Sequence, residues 1–315
     1  MLKRFCWTLA AASLVSAAAA QTFPSRTVHL VSGVTPGSAS DTMARILAEK
    51  LTVSLGQQVI VENWLGAGGL VGASRVAKTD PDGHTIMIYA SAFTVSPLLT
   101  PGVLDPKDLT PVATIATIPT VLVVKADKGY KTVADLVAAA KAKPGAIIAT
   151  SAGIGSATHM NLERFRIAAG IQVLHVPLKG APEALTEVLT GRADFYFALP
   201  FQARAQAGKV LALAVGSPKR SSLFPDVPTT VEAGYPNSDY NFWVGALMPS
   251  RTPREIVQRL HREFNAAVNA PDVRERIVKT GADPLTLTLP EFEAMIREEF
   301  EANAKLIKAA NIKAE

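Results

Sequence analysis

Strand-like and helix-like segments alternate along this chain from Thr27 almost to its end, and the alternation restarts once. TVHLVSG reads as a strand and DTMARILAEKLTVSL as a helix with an apolar face, closed by Gly56. QQVIVEN, GGLVGASRVAK and HTIMIYA continue the series as strand, short helix and strand. After the proline-rich PLLTPGVLDPKDLTP it resumes with the strand TVLVVKA and the helix TVADLVAAAKAK. AIIATS, THMNLERFRIAA, IQVLHVP, PEALTEVLTG, ADFYFA and VLALAVG follow. Such alternation predicts parallel sheets covered on both faces. Two similar halves predict an α/β chain of two lobes with a ligand cleft between them.

The expected division places residues 21–123 in the first lobe and 124–217 in the second. Residues 218–315 then supply a return crossing and C-terminal helices that complete the first lobe. The crossing is SPKRSSLFPDVPTTVEAGYPNSDYN, rich in Pro and Ser, and the tail from Pro253 to Ile312 reads as two long amphipathic helices around PLTLTLPEF. Hinge positions are expected near Val121 to Lys125 and Ala214 to Pro218.

Residues 1–20 are read apart from the fold. Lys3 and Arg4 precede a short apolar run, and Ala18-Ala19-Ala20 stands before Gln21. This is the pattern of a secretory signal cleaved near Ala20, too short to anchor in a bilayer. The one cysteine, Cys6, lies inside it, so the chain that follows has no disulfide, thiolate metal site or cysteine nucleophile. The 32 basic residues against 27 acidic ones fall to an excess of about +3 without the leader, too little to argue for nucleic acid.

Three turns between strands and helices carry the candidate chemistry. SAGIGSATH, residues 151–159, could gather backbone N–H groups on an anion, with Ser156 or Thr158 capping the helix. An ordinary capped turn would need only one of those hydroxyls. It lacks the lysine of a phosphate loop and the third glycine of a dinucleotide fingerprint, and no G-x-S-x-G elbow supports a hydrolase. GVTPGSASD, residues 33–41, offers Thr35, Ser38, Ser40 and the amides around Gly37, with Asp41 read as a cap. VPLKGAPEA places Lys179 and Gly180 ahead of a helix starting near Pro182.

A fourth turn, NWLGAGGLVGA, reads as glycines that let a helix pack closely, with Trp64 as a packing residue. His29, His84, His175 and His261 show no metal-ligand spacing and are assigned to structure.

In this order the motifs resemble the Bug-type solute receptors of tripartite tricarboxylate transporters. The resemblance runs through FPSRTVHLV, PGSASD, VENWLGAGGLVGASRVAKTDPDGHT, DLTPVATIA, SAGIGSATH, VPLKG, PDVPTTVEAGYP and NAPDVRERI. It implies a type II-like periplasmic binding protein fold whose two lobes close on a carboxylate-bearing solute, which a membrane permease then receives, with no enzymatic step, no cofactor and no metal. It further implies a monomer in the periplasm. Ligand contacts carried over from the family's turns are Val34, Thr35, Gly37, Ser38 and Ser40 in the first lobe. In the second lobe they are Ser151, Gly155, Ser156, His159, Pro177, Leu178, Lys179 and Ala181.

The sequence also departs from the family pattern. P-F-x-P-G-G-x-x-D has Val34 for its aromatic residue and Ser38 for its second glycine, and V-P-Y-K-G has Leu178 for its tyrosine. Ala198 stands where an acid often follows the strand. These changes predict a less polar pocket for an aromatic or otherwise apolar carboxylate, with an acid group at each end as one form. An aliphatic dicarboxylate is the alternative within the family. An enzyme on a similar scaffold, such as a deaminase carrying a cofactor on cysteine, is the rival from another class.

Overall fold

The computed structural model describes residues 23–240 and 242–313. The expected signal segment, with Cys6, lies outside the described residues.

The first α/β series runs β1 (Val28–Ser32), α1 (Ala39–Leu55), β2 (Val59–Asn63), α2 (Leu70–Val76), β3 (Thr85–Ala90), α3 (Ser96–Leu99) and β4 (Leu109–Thr117). The second runs β5 (Val121–Lys125), α4 (Val133–Ala142), β6 (Ile148–Ser151), α5 (Ala157–Ala169), β7 (Leu174–Pro177), α6 (Ala181–Leu189), β8 (Phe195–Ala198), α7 (Pro200–Ala205) and β9 (Val210–Val215). After the return segment come β10 (Trp243–Pro249), α8 (Arg254–Asn269), α9 (Pro271–Lys279), β11 (Asp283–Pro284) and α10 (Leu289–Ala310).

Local chemistry accounts for many of these limits. Gly56 ends α1 in the left-handed conformation at φ 69°, where its N–H bonds to Thr52 O. Reciprocal capping boxes start α4, from Thr132 and Asp135, and α10, from Thr288 and Glu291.

Two sheets form, ordered β11-β4-β10-β3-β1-β2 and β7-β6-β8-β5-β9. They are mixed rather than parallel as expected. β1, β2 and β3 are parallel, as are β6, β7 and β8, but β10 runs antiparallel between β3 and β4. β5 likewise runs antiparallel to both β8 and β9. Every residue of β10 is buried, and a methyl group on its Gly245 would come within 2.7 Å of the Phe292 ring of α10. Strand alternation gave no sign of β4, β10 or β11, because their partners are distant in sequence.

Two other boundaries differ from expectation. The chain passes from the first sheet to the second in residues 118–120, so the expected break between 123 and 124 falls inside β5. Val121 to Lys125 pair on both sides within the second sheet and cannot act as a hinge. The tail holds three helices, because Ala270 and Pro271 break the first expected helix into α8 and α9. Of the return segment, Thr229 bridges to Val215 and Tyr235 packs on Phe165, so this part lies with the second sheet.

One core cluster draws residues from both sheets, including Leu30, Ile88 and Val244 of the first and Val121, Tyr196 and Ala198 of the second. Separate clusters fill the outer faces, around Phe165, Phe195 and Phe197 in the second and Trp243, Phe93 and Phe292 in the first.

Candidate functional site

The carboxyl ends of all six parallel strands open onto one cleft, where ligands gather in open α/β sheets. Its walls form two adjoining chambers that share Val34, Gly68 and Ala152. The inner chamber holds about 60 Å³ and the outer about 760 Å³.

The first turn leads from β1 into α1, and Asp41 holds its shape from behind. That carboxylate is 2% exposed and accepts the Gly37 N–H at 2.9 Å, Asn63 Nδ2 at 2.9 Å and a two-pronged contact from Arg45. Burial alone would raise its pKa, but Arg45, the Gly37 N–H and Asn63 together hold it below the ordinary carboxylate value. Asn63 also donates to Val34 O, which ties the end of β2 to the turn. Thr35 and Ser38 hydroxyls meet at 3.2 Å.

The second turn leads from β6 into α5. Ser156 caps the helix by accepting the His159 N–H at 3.3 Å, and Thr158 Oγ1 accepts the Ala152 N–H at 2.9 Å. Gly153 and Gly155 take φ values of 111° and 74°, open to glycine without strain. The third turn, between β7 and α6, meets the first: a methyl group on Gly180 would overlap Thr35 Oγ1 and lie 2.9 Å from Glu183 Oε2. The two lobes' turns are therefore in contact across the cleft.

Three helix N-termini border the inner chamber, represented by Ala39 and Ser40 of α1, Ala157 and Thr158 of α5, and Ala181 of α6. The first N–H groups of each helix have no acceptor within it, and the aligned peptide dipoles add a partial positive charge. Hydroxyls of Ser38, Ser40, Ser156 and Thr158 join them, while Ala90, Ala92, Leu199 and Phe242 make an apolar back wall. Among the described residues, no charged side chain lines the inner chamber. The outer chamber is bounded by Leu65, Leu99, Ile154 and Leu178, and Lys179 is the one charged residue on its walls among the described residues. Neutral donors in a partly enclosed space favour an anion without requiring a counter-charge.

Of the residues expected from sequence, the structure brings nine to these walls: Val34, Thr35, Ser38, Ser40, Ser156, Pro177, Leu178, Lys179 and Ala181. Five others stand back from them. Gly37 spends its N–H on Asp41. Gly155 gives its N–H to His159 Nδ1 at 3.1 Å, and its α-carbon faces Leu99 and Val95. Ser151 is fully buried and bonded to His175, and His159 is 3% exposed with its ring stacked on His175. Ala198, the last residue of β8, is fully buried in the core, whereas Leu199, buried in the same core just past the strand, also borders the inner chamber.

Sequence reasoning missed Gly68, Ala90, Ala92, Leu199 and Phe242 among the lining residues. The GAGG turn carried a usable signal, since Gly66, Ala67, Gly68 and Gly69 all have positive φ, at 139°, 45°, 63° and 102°. Gly69 fits because Tyr89 lies 2.6 Å from where its methyl group would be. Phe242 had no local signal, because it arrives with the antiparallel β10. Trp64 does pack, beneath the Arg75 guanidinium at 4.3 Å.

Two α/β lobes with a cleft of neutral hydrogen-bond donors between them are an architecture suited to holding a solute. The sequence model described as the Tripartite tricarboxylate transporter family receptor, TctC, matches residues 43–312, and the chain belongs to this family of periplasmic solute-binding receptors. It is 39% identical over 264 residues to the UPF0065 protein in the tcbD-tcbE intergenic region of Pseudomonas sp. strain P51, covering 82% of this chain and 79% of that one. The solved periplasmic binding protein BugD superposes with a TM-score of 0.86 at 30% identity, covering 93% of this chain and 100% of that one. R. palustris Rpa4515, solved with adipate, gives 0.87 at 29% identity, covering 92% and 99%.

Proposed function

We propose that this receptor captures an aromatic or otherwise apolar carboxylate, with one carboxylate in the inner chamber and the body in the outer one. The observation that carries this is the charge-free inner chamber bordered by three helix N-termini. Its volume of about 60 Å³ equals about two water molecules at liquid density, room for a carboxylate head and little more. A desolvated carboxylate needs its lone pairs met, and the amides and hydroxyls of the three turns meet them. Leu178 and Val34, the apolar departures from the family pattern, both face the space left for the body. Lys179, exposed at the outer wall, suits a second acid group.

The aliphatic dicarboxylate is the second reading, supported by the adipate bound to the R. palustris relative. In both cases residues 1–20 direct export and are removed near Ala20. The lobes hinge about residues 118–120 and the return segment, a single copy binds one ligand, and the ligand passes unchanged to a membrane permease.

Mass spectrometry of ligand released from freshly purified protein identifies the solute directly. Thermal-shift measurements with aromatic and aliphatic mono- and dicarboxylates should then show stabilisation that grows with ligand concentration over its Kd. Stabilisation by amino acids or citrate alone would overturn the reading. Ser156→Leu should abolish binding while leaving the unfolding transition in place; unchanged affinity would mean the carboxylate sits elsewhere. A ligand chemically altered after prolonged incubation would point to an enzyme.

A further inference from the structure

Behind the second turn two imidazoles lie face to face. His159 of α5 and His175 of β7 stack with ring centroids 4.2 Å apart and planes 7° from parallel. Neither borders a chamber, yet each is bonded to one part of the turn that does. His159 Nδ1 faces the Gly155 N–H at 3.1 Å. A backbone N–H only donates, so Nδ1 holds a lone pair and the proton of this ring sits on Nε2. His175 Nε2 meets Ser151 Oγ at 2.7 Å. Ser151 Oγ also accepts the Gly153 N–H at 3.3 Å and lies 3.2 Å from Gly153 O, so its proton goes to that carbonyl or to His175 Nε2 according to the His175 tautomer.

The two glycines with positive φ in the anion turn are thus each tied to one imidazole, Gly155 directly and Gly153 through Ser151. Charged neighbours are arranged to one side. Glu163 Oε1 lies 3.8 Å from His159 Nε2, and Arg166 holds the other oxygen of that carboxylate at 2.9 Å. Burial pushes His159 down to about 3, with His175 and Arg166 adding to the effect, and pushes His175 down to about 4, with Arg166 adding. A proton on Nδ1 of His159 would set donor against donor at Gly155.

We infer that His159 and His175 are positioning residues, neutral rings that hold Gly153 and Gly155 in the shape that presents the α5 N-terminus to the ligand without touching it. This rests on the proposed carboxylate site only for the identity of what the turn presents; the holding itself is a property of the ligand-free protein.

The test therefore begins without ligand, on the whole receptor. Long-range nitrogen–proton NMR should show His159 as the Nε2–H tautomer and both rings neutral from about pH 8 down to about pH 5, below the ordinary histidine pKa. A Nδ1–H tautomer for His159, or its titration near pH 6.5, would overturn the inference. His159→Asn carries an amide oxygen that can replace Nδ1 as acceptor, whereas His159→Ala has none. Hydrogen exchange at the Gly155 amide should speed about tenfold or more in His159→Ala and stay within about threefold of the parent in His159→Asn.

With adipate as the binding probe, affinity should fall about 10- to 100-fold in His159→Ala and under about threefold in His159→Asn. Equal losses in both variants would make His159 a direct ligand contact and overturn the positioning role. Failure of adipate to bind the parent protein would count against the dicarboxylate reading alone, since tautomer and amide exchange still decide this one.

Discussion

The first and second turns do the same task with opposite means. Each delivers a helix N-terminus to the inner chamber from the end of a parallel strand. The first is braced by an ion pair between the buried Asp41 and the exposed Arg45, supplemented by Asn63 and the Gly37 N–H. The second is braced by two stacked imidazoles that carry no charge when neutral. In both, the group that sets the turn's shape stands behind it, and the chamber itself is left with neutral donors. The donors that border the chamber thus depend for their geometry on side chains that do not line it.

The largest effect should come from forcing the two lobes' turns apart. Gly180→Val places a branched side chain where Thr35 Oγ1 now sits, and ligand affinity should fall about 100-fold or more, as steric blocks of this kind prevent closure. Isothermal titration calorimetry checks it; retained affinity would show that contact between Thr35 and Gly180 is dispensable. Asp41→Ala should come next. It leaves the Gly37 N–H and Asn63 without their partner and should cost about 2–3 kcal/mol in urea unfolding. A change below about 0.5 kcal/mol would show that the first turn holds its shape without the ion pair.

Acid should separate the two braces. The folded-state pKa values of His159 and His175 lie below the ordinary 6.5, so the unfolded chain binds more protons than the native one below that value. Their contribution is full above about pH 6.5 and is lost as pH falls toward 4 and 3. Asp41 is lowered from 3.8, so its contribution is present above that value and is lost only as pH falls below it. Between about pH 6.5 and 4.5 the slope of stability against pH should therefore flatten in His159→Asn and persist in Asp41→Ala.

The smallest effect should be at Lys179, which is exposed. Lys179→Gln should weaken dicarboxylates about two- to fivefold relative to monocarboxylates of the same body, and high salt should erase the difference. An equal change for both classes would remove Lys179 from ligand selection.

The parts of the site legible in the sequence are the turns themselves. A strand followed by Gly, Ser, Thr and a helix announces free N–H groups within a few residues, and Ser38, Ser40 and Ser156 do face the inner chamber. The side on which a given residue falls was not legible. Ser151 and His159 belong to the same quoted stretch as Ser156, yet both turn inward to partners on or beside β7. Ala198 and Leu199 share one core, yet of the two it is Leu199 that also borders the chamber.

Sequence alone determined the α/β class, the limits of most helices and strands, and the chemistry of the three turns, because capping, glycine conformation and apolar periodicity act over a few residues. Tertiary structure decided what those turns enclose. Insertion of β10 beside strands more than 100 residues earlier in the chain made both the mixed first sheet and the Phe242 wall. The pairing of His159 with His175 depended on two elements meeting face to face. Such contacts are selected by burial and shape once the whole chain has collapsed, and no short window of sequence contains them.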